Sequence, residues 1–356
     1  MARLARFSAD QLAWTHTWHL RTETVRAAND RIVNQEIHQP LAEHCGTGTL
    51  PSSDGQRFPD IRSLTQGPTH APLLHRHRSH DLHLELDRPI RHPSHSDHRA
   101  RSHLRARRDI FDNETDLEID EHTTDTAGYT DLVYGLFDLT GLRFSPRIRD
   151  LADQRVWRLP TTSADSPAAA LLQHRIRPQR LDDRWDDMLR VAATIRHGYL
   201  PASTLVSRLQ GPARQNEPTQ AIHEYGRIAK TISMLRYLHN SEHRRRIHDQ
   251  LNQGELFHAL RRGLLFANLG QIRRRDTGDQ DLHGECLTLL TNAIVCWNTV
   301  YTGAAIDHLT AHGNIITAEQ RRRLPPAVRD HIKPYGRHDF DHSAQPTDGQ
   351  LGPLRT

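Results

Sequence analysis

The sequence predicts a mixed α/β protein, and two kinds of segment carry that expectation. Short extended runs deliver acids set among small residues, at Ser52-Ser53-Asp54-Gly55 and at His122-Thr123-Thr124-Asp125-Thr126-Ala127-Gly128. Longer stretches, over residues 181–275 and 287–301, repeat apolar residues at helical spacing.

From the start of the chain, Ser8-Ala9-Asp10-Gln11 has the form of a capping box, with Phe7 and Leu12 flanking it as a hydrophobic staple. A helix is expected from there to about Ile37, with Trp18, Val25 and Ile32 on one face and Pro40 ending it. Residues 45–50 are threonine-rich and punctuated by glycine, a strand or turn leading to Asp54. Ser53-Asp54-Gly55 itself has turn chemistry, which would hold an acid on firm backbone while leaving it exposed. Leu117-Glu118-Ile119 and residues 122–124 form a strand that delivers Asp125. Thr130 caps a helix carrying Leu132, Val133, Leu136 and Phe137, Gly141 stops it, and Leu142-Arg143-Phe144 returns as a strand. Three apolar stripes follow. Trp185, Met188, Leu189, Ala192 and Ile195 end at Gly198; Leu205, Val206 and Leu209 end at Gly211; the third comprises Ile222, Tyr225, Ile228, Ile232, Leu235 and Leu238. Residues 287–301 are apolar enough for a buried helix, in which Trp297 belongs to the core. The tail after Gly336 is polar and should fray.

Residues 59–110 differ in kind. Nine of the 27 histidines lie between His70 and His103, among arginine, proline and serine, and neither helical nor strand periodicity persists. The block can be a histidine-rich metal-binding tract or a disordered basic loop. A third reading is that it is translated out of frame. With suitable codons, Arg101-Ser102-His103-Leu104-Arg105-Ala106-Arg107-Arg108-Asp109 read one base over gives Glu-Ala-Thr-Tyr-Val-Leu-Asp-Glu-Ile, an amphipathic helix.

A chain of 356 residues suffices for one large domain or two modest ones, although 36% hydrophobic content implies a small core. The net charge of +4 permits nucleic-acid binding without demanding it. Only Lys230 and Lys333 interrupt an otherwise all-arginine set of 47 basic residues. Arginine suits bidentate phosphate contacts, and GC-rich coding explains the bias equally well. Cys45, Cys286 and Cys296 form no paired framework and no metal spacing, so a reducing cytoplasm is the natural home. No apolar run is long enough to span a membrane, and no signal peptide is recognisable.

The chemistry suggested is that of scattered acids converging in a fold. Asp54, Asp125 and the acid of Asn252-Gln253-Gly254-Glu255 offer oxygen ligands that suit magnesium or manganese. By pattern alone Glu255 reads as the third residue of a helix capped by Asn252. Glu285 is the competing acid, at the edge of an apolar helix where a solvated role is usual. Three arginine runs, at 244–246, 273–275 and 321–323, are candidates for phosphate contact or for solvated faces. His122 fits the sheet as well as it fits catalysis.

At these residues the chain resembles a known family. Leu12-Ala13-Trp14, residues 27–34, 52–58, 121–128 and 145–151, Arg214-Gln215-Asn216, residues 251–255 and residues 293–301 together look like the catalytic end of the Tn-three-family transposases. The resemblance implies an RNase H-like core with a large helical insertion before the last acid. It places Asp54, Asp125 and Glu255 at Asp-Asp-Glu positions holding two Mg2+ or Mn2+ ions, acting on transposon ends and target DNA as a homodimer. It also favours Arg147 and Arg149, with Arg244 and Arg245, for DNA contact. The domains that bind transposon ends would precede this region and are expected to be missing. The implied organisation is a helical lead-in over 1–40, the first part of the core over 41–150, the insertion over 151–250, the rest of the core over 251–335 and a tail over 336–356. Two readings from other classes stand beside this one: a catalytically inactive remnant that binds DNA or intact transposase, and a metal-binding protein using residues 70–103.

Overall fold

The computed structural model describes residues 7–45, 49–59, 78–85, 91–92, 119–125, 130–160, 172, 174–200, 205, 208–209, 216–265, 277–324, 326–333 and 336. For 45, 53–59, 78–85, 91–92, 152 and 277–281 the description is of backbone alone. The fold is mixed α/β and mostly helical.

Helix α1 (Ala9–Trp18) starts where the capping box predicts: Ser8 Oγ accepts from the Gln11 N–H at 3.1 Å, and Gln11 Oε1 accepts from the Ser8 N–H at 2.8 Å. The single helix expected to reach Ile37 is two. The chain breaks at residues 19–21 and restarts as α2 (Thr22–Ile37), with Thr24 Oγ1 accepting from the Arg21 N–H. Trp18 is 56% exposed and α1 buries nothing, so no packing holds both segments on one axis. The buried face of α2 is Val25, Asn29, Val33 and Glu36 rather than Trp18, Val25 and Ile32. A short α3 (Ala42–Cys45) follows.

Among the described residues the sheet has five strands, β1 (Ser52–Pro59), β2 (Arg78–Glu85), β3 (Arg91–His92), β4 (Glu121–Thr124) and β5 (Arg143–Phe144), in the order β3-β2-β1-β4-β5. β1 and β2 pair antiparallel over all eight residues, from Ser52 opposite Glu85 to Pro59 opposite Arg78. β4 is parallel to both β1 and β5. Two expectations are corrected here. Ser53-Asp54-Gly55 is not a turn but the interior of β1, because β2 supplies ladder partners for backbone groups that a turn would otherwise satisfy. The block expected to lack persistent periodicity supplies β2 and β3; the rest of 60–118, including most of the histidine-rich tract, lies outside the described residues.

Helix α4 (Asp131–Leu139) has Thr130 as its N-cap, and Gly141 at φ 83° stops the segment as predicted. One side of α4, Val133, Tyr134 and Phe137, packs with Phe144 and the ring of His122, which stacks on Phe137 at 5.5 Å. His122 is therefore a sheet residue. The other side, Leu132 and Leu136, meets Met188, Ile195 and Ile222. Those residues come from α6 (Trp185–Arg196) and α7 (Glu217–His239), reached through the paired strands β6 (Trp157–Arg158) and β7 (His174–Arg175) and α5 (Pro178–Asp182). Gly198 at φ 67° ends α6 as predicted. Of the second stripe, Leu205 and Leu209 are helical, while Val206 and Gly211 lie outside the described residues.

The third stripe identifies the right helix, and at its start the right face, with Ile222 buried and Tyr225 packed beside it; further along it is the wrong face. In α7, Ile232, Leu235 and Leu238 are exposed, whereas Gly226, Lys230, Thr231, Met234 and Tyr237 are buried. Close helix approach and polar partners choose the face: Thr231 Oγ1 accepts from the Trp157 N–H at 3.1 Å and Glu224 accepts from the Arg177 N–H at 2.8 Å.

Next come α8 (Ser241–Leu264), α9 (Thr277–Ala311) and α10 (Ala318–Arg322). α9 is clamped to α2 by buried polar contacts. Asn292 Nδ2 donates to Asn29 Oδ1 at 2.7 Å, Thr299 Oγ1 donates to Glu36 Oε1 at 3.1 Å, and Arg26 pairs with Glu285 at 2.9 Å. Glu285 is thus a buried structural acid and not the solvated one expected. Trp297 is also corrected: it is 40% exposed and lies against Tyr301 and His331 at the surface. Among the described residues no helix is long and apolar enough to cross a membrane.

Candidate active site

The parallel pairing of β1 with β4 fixes the first two acids. Ser52 lies opposite Thr123 and Ser53 opposite Thr124. Asp54 is the next residue of β1 and Asp125 the first residue beyond β4, and neighbouring strands lie about 4.8 Å apart. Asp125 is exposed just beyond the end of β4. Asp54 is described through its backbone only. Among the described side chains, of which Asp54 is not one, no three of His, Cys, Asp or Glu form a group that could hold a metal ion.

Glu255 sits in the middle of α8, so it does not take part in a helix start at Asn252. The cap of α8 is Asn240, whose Oδ1 accepts from the His243 N–H at 2.9 Å. The Glu255 side chain is 68% exposed, with Oε2 at 4.0 Å from Nδ1 of the buried His258. It projects about 140° around the axis from Gln250, the residue that faces β1, so it points largely away from the sheet. The opposite face of α8 packs on β1 and β4.

Polar groups join α8 to the sheet. Gln250 Nε2 donates to Ser52 Oγ at 3.0 Å in a fully buried contact. Arg246 pairs with Glu121, the first residue of β4, and Ser145 Oγ donates to the same carboxylate. Nδ1 of His243 lies 3.9 Å from Glu121. Glu121 is only 2% exposed, so both partners matter for keeping its charge in the fold. None of these ties was apparent in the sequence. Residues 244–246 read there as a solvated run or a phosphate contact, and nothing local to Glu121, Gln250 or Ser52 signals a partner more than a hundred residues away.

Burial lowers the pKa of His243; Glu121 opposes the shift, while Arg246, Arg236 and Arg143 add to it. His223 is lowered likewise, first by burial and further by Arg227, against the opposing charge of Asp131. In both cases the unfolded chain binds the proton more tightly, so their stabilising effect holds above the ordinary imidazole range and is lost as pH falls through the folded pKa. The midpoint of thermal unfolding should drop between about pH 7.5 and pH 5.5. His243→Gln should flatten that slope, as followed by circular dichroism.

The arginines proposed for DNA contact have different surroundings. The Arg147 N–H donates to the Thr124 carbonyl at 3.0 Å, which sets Arg147 beside Asp125, and Arg149 is exposed two residues on. Arg245 is exposed on α8. The Arg244 guanidinium donates to the carbonyls of Tyr237 and Leu238, capping the last turn of α7.

The family model described as "Tn3 transposase DDE domain" matches residues 1–71 and 108–338. The transposase for transposon Tn501 of Pseudomonas aeruginosa is 35% identical over 350 residues, 97% of this chain and 35% of that protein. The transposase for transposon Tn21 of Escherichia coli is 34% identical over 350 residues, with the same coverage. The transposase for transposon gamma-delta of Escherichia coli (strain K12) is 31% identical over 347 residues, 97% of this chain and 34% of that protein. The chain thus spans about a third of the length of the curated relatives it matches. Covering most of the chain and both strands that carry Asp54 and Asp125, these matches make it a member of the Tn3 transposase DDE-domain family.

Proposed function

We propose that this chain carries the strand-cutting and strand-joining centre of a DNA transposase, in an RNase H-like core whose last acid follows a helical insertion over residues 151–250. The observation that carries the reading is the register of β1 with β4, which sets Asp54 next to Asp125 within the family match. The donors fit a hard divalent cation, since all three are carboxylates and two are on adjacent strands. Asp54, Asp125 and Glu255 would hold a pair of Mg2+ or Mn2+ ions. Such ions, when bound, stabilise the attacking and leaving oxygens of an in-line phosphoryl displacement. The carboxylates would fix where the cations sit against the phosphodiester, and Arg147, Arg149 and Arg245 steady the flanking backbone. Water attacks phosphorus and the 3′ oxygen leaves as a hydroxyl. That hydroxyl then attacks phosphorus in a target phosphodiester, losing its proton, and the target's own 3′ oxygen leaves as a hydroxyl. The two steps need no covalent protein–DNA intermediate, and a homodimer would serve the two transposon ends. Incubating the full chain with supercoiled plasmid tests the reading. Nicking that requires Mg2+ or Mn2+ and stops with chelator supports it, and metal-independent nicking contradicts it.

One observation favours a second reading. The family match leaves out residues 72–107, the interval that contains β2 and β3. A copy with this interval out of frame would keep the acids but build β2 and β3 from foreign residues, and would bind DNA without cutting it. Under that reading the gene, read one base over across codons 60–110, yields alternating apolar strands. Stop codons in both alternative frames would contradict it.

A further inference from the structure

We infer that Gln250, through its buried bond to Ser52, is a positioning residue that brings Glu255 level with Asp54 and Asp125. The inference rests on the proposal that these three acids share metal ions. Two independent ties give the register. Arg246 meets Glu121 on β4, and Gln250 meets Ser52 on β1, which is opposite Thr123 of β4. The ties lie four residues apart on α8, about 6 Å. They lie two residues apart in the shared strand register, about 7 Å. Helix and strands therefore run in the same direction and nearly in step. Continuing from the second tie, Asp54 and Asp125 lie two strand residues on, about 7 Å. Glu255 lies five helix residues on, about 7.5 Å. All three acids arrive at one level.

Level alone does not bring Glu255 inward, because it stands on the exposed side of α8, largely away from the strands. Its carboxylate must lean toward the strand ends, and a glutamate side chain has little reach to spare. A shift of the helix by one residue along its axis would move the acid about 1.5 Å. The Gln250–Ser52 bond is the tie nearer to Glu255, and both groups are almost fully buried, at 2% and 0% exposure. Neither residue needs to touch metal or DNA to have this effect.

The test is Mn2+ titration of the full chain, followed by loss of the free-ion electron paramagnetic resonance signal. Asp54→Asn defines the binding that depends on the acids, and sites that survive it are subtracted. Gln250→Leu should weaken the acid-dependent sites about tenfold, the scale of outer-sphere partners of metal ligands. It also leaves the Ser52 hydroxyl buried and unpaired, so the chain could lose stability for that reason alone. The double variant Ser52→Ala/Gln250→Leu removes both partners. It should melt above Gln250→Leu while keeping the tenfold loss, which a purely structural role would not produce. Wild-type Mn2+ affinity in the double variant, with Asp54→Asn still defective, overturns the inference and leaves the three-acid reading standing. Mn2+ binding that Asp54→Asn does not weaken overturns that reading and the inference with it.

Discussion

Asp54→Asn, Asp125→Asn and Glu255→Gln should each lower metal-dependent plasmid nicking by at least about a thousandfold. Ions bound by the acids are asked to supply several kcal/mol of charge stabilisation, and each 1.36 kcal/mol is worth a factor of ten in rate. The amides preserve shape and remove the charge that binds the cation. Folding should not suffer. Asp125 and Glu255 are exposed, and Asp54 and Asp125 are like charges on adjacent strands, so neutralising either aspartate relieves repulsion when no metal is bound. The variants should melt at or slightly above the wild-type temperature in chelator, and lose the stabilisation that Mn2+ gives the wild type. A variant that nicks normally removes that residue from the site. A variant that fails to fold shows a structural role instead.

Gly226→Ala should be the most damaging small substitution away from the acids. At Gly226 helix α7 crosses α4 backbone to backbone. A methyl group there would sit 1.7 Å from the Asp131 carbonyl oxygen and 3.0 Å from the Gly135 nitrogen. The reciprocal position, Gly135, would place its methyl 2.6 Å from the Ile222 carbonyl oxygen. These neighbours are main chain, so no rotamer change relieves the clash and the helices must separate. Separation loosens both faces of α4, Leu132 and Leu136 against α6 and α7 on one side and Val133 and Phe137 against the sheet on the other. Overpacking of well-packed sites costs about 1–3 kcal/mol, and a backbone clash belongs at or above the upper end. The better helix propensity of alanine returns only about 1 kcal/mol. A fall of about 3–5 °C in the unfolding midpoint is expected. Nicking should also weaken at temperatures where the variant is folded, because α4 supports the strands that lead to Asp125.

Local signals proved readable where local chemistry decides the outcome. Ser8 and Thr130 cap their helices, and Gly141 and Gly198 end theirs with positive φ. The strands at β4 and β5 and the helix between them follow from caps and apolar spacing within a few residues. Choices that depend on a distant partner were not readable. Asp54-Gly55 looks like a turn until β2 pairs with it. The stripe Ile232, Leu235 and Leu238 looks like a core face, yet α7 buries the side where Gly226 admits α4 and where Thr231 and Glu224 meet backbone N–H groups. The proposed acids are marked in the sequence by the small residues around Asp54 and Asp125 and, for all three, by the family resemblance. The elements that set their level, Ser52 with Gln250 and Glu121 with Arg246, join residues 198 and 125 positions apart. No periodicity in the sequence encodes such pairs.

Crystals grown with Mn2+ and examined by anomalous scattering test the central claim most directly. The account predicts two peaks about 3.5–4 Å apart, bridged or flanked by Asp54, Asp125 and Glu255. Peaks confined to histidines elsewhere in the chain, with Glu255 turned to solvent and Asp54 without a metal contact, would contradict it.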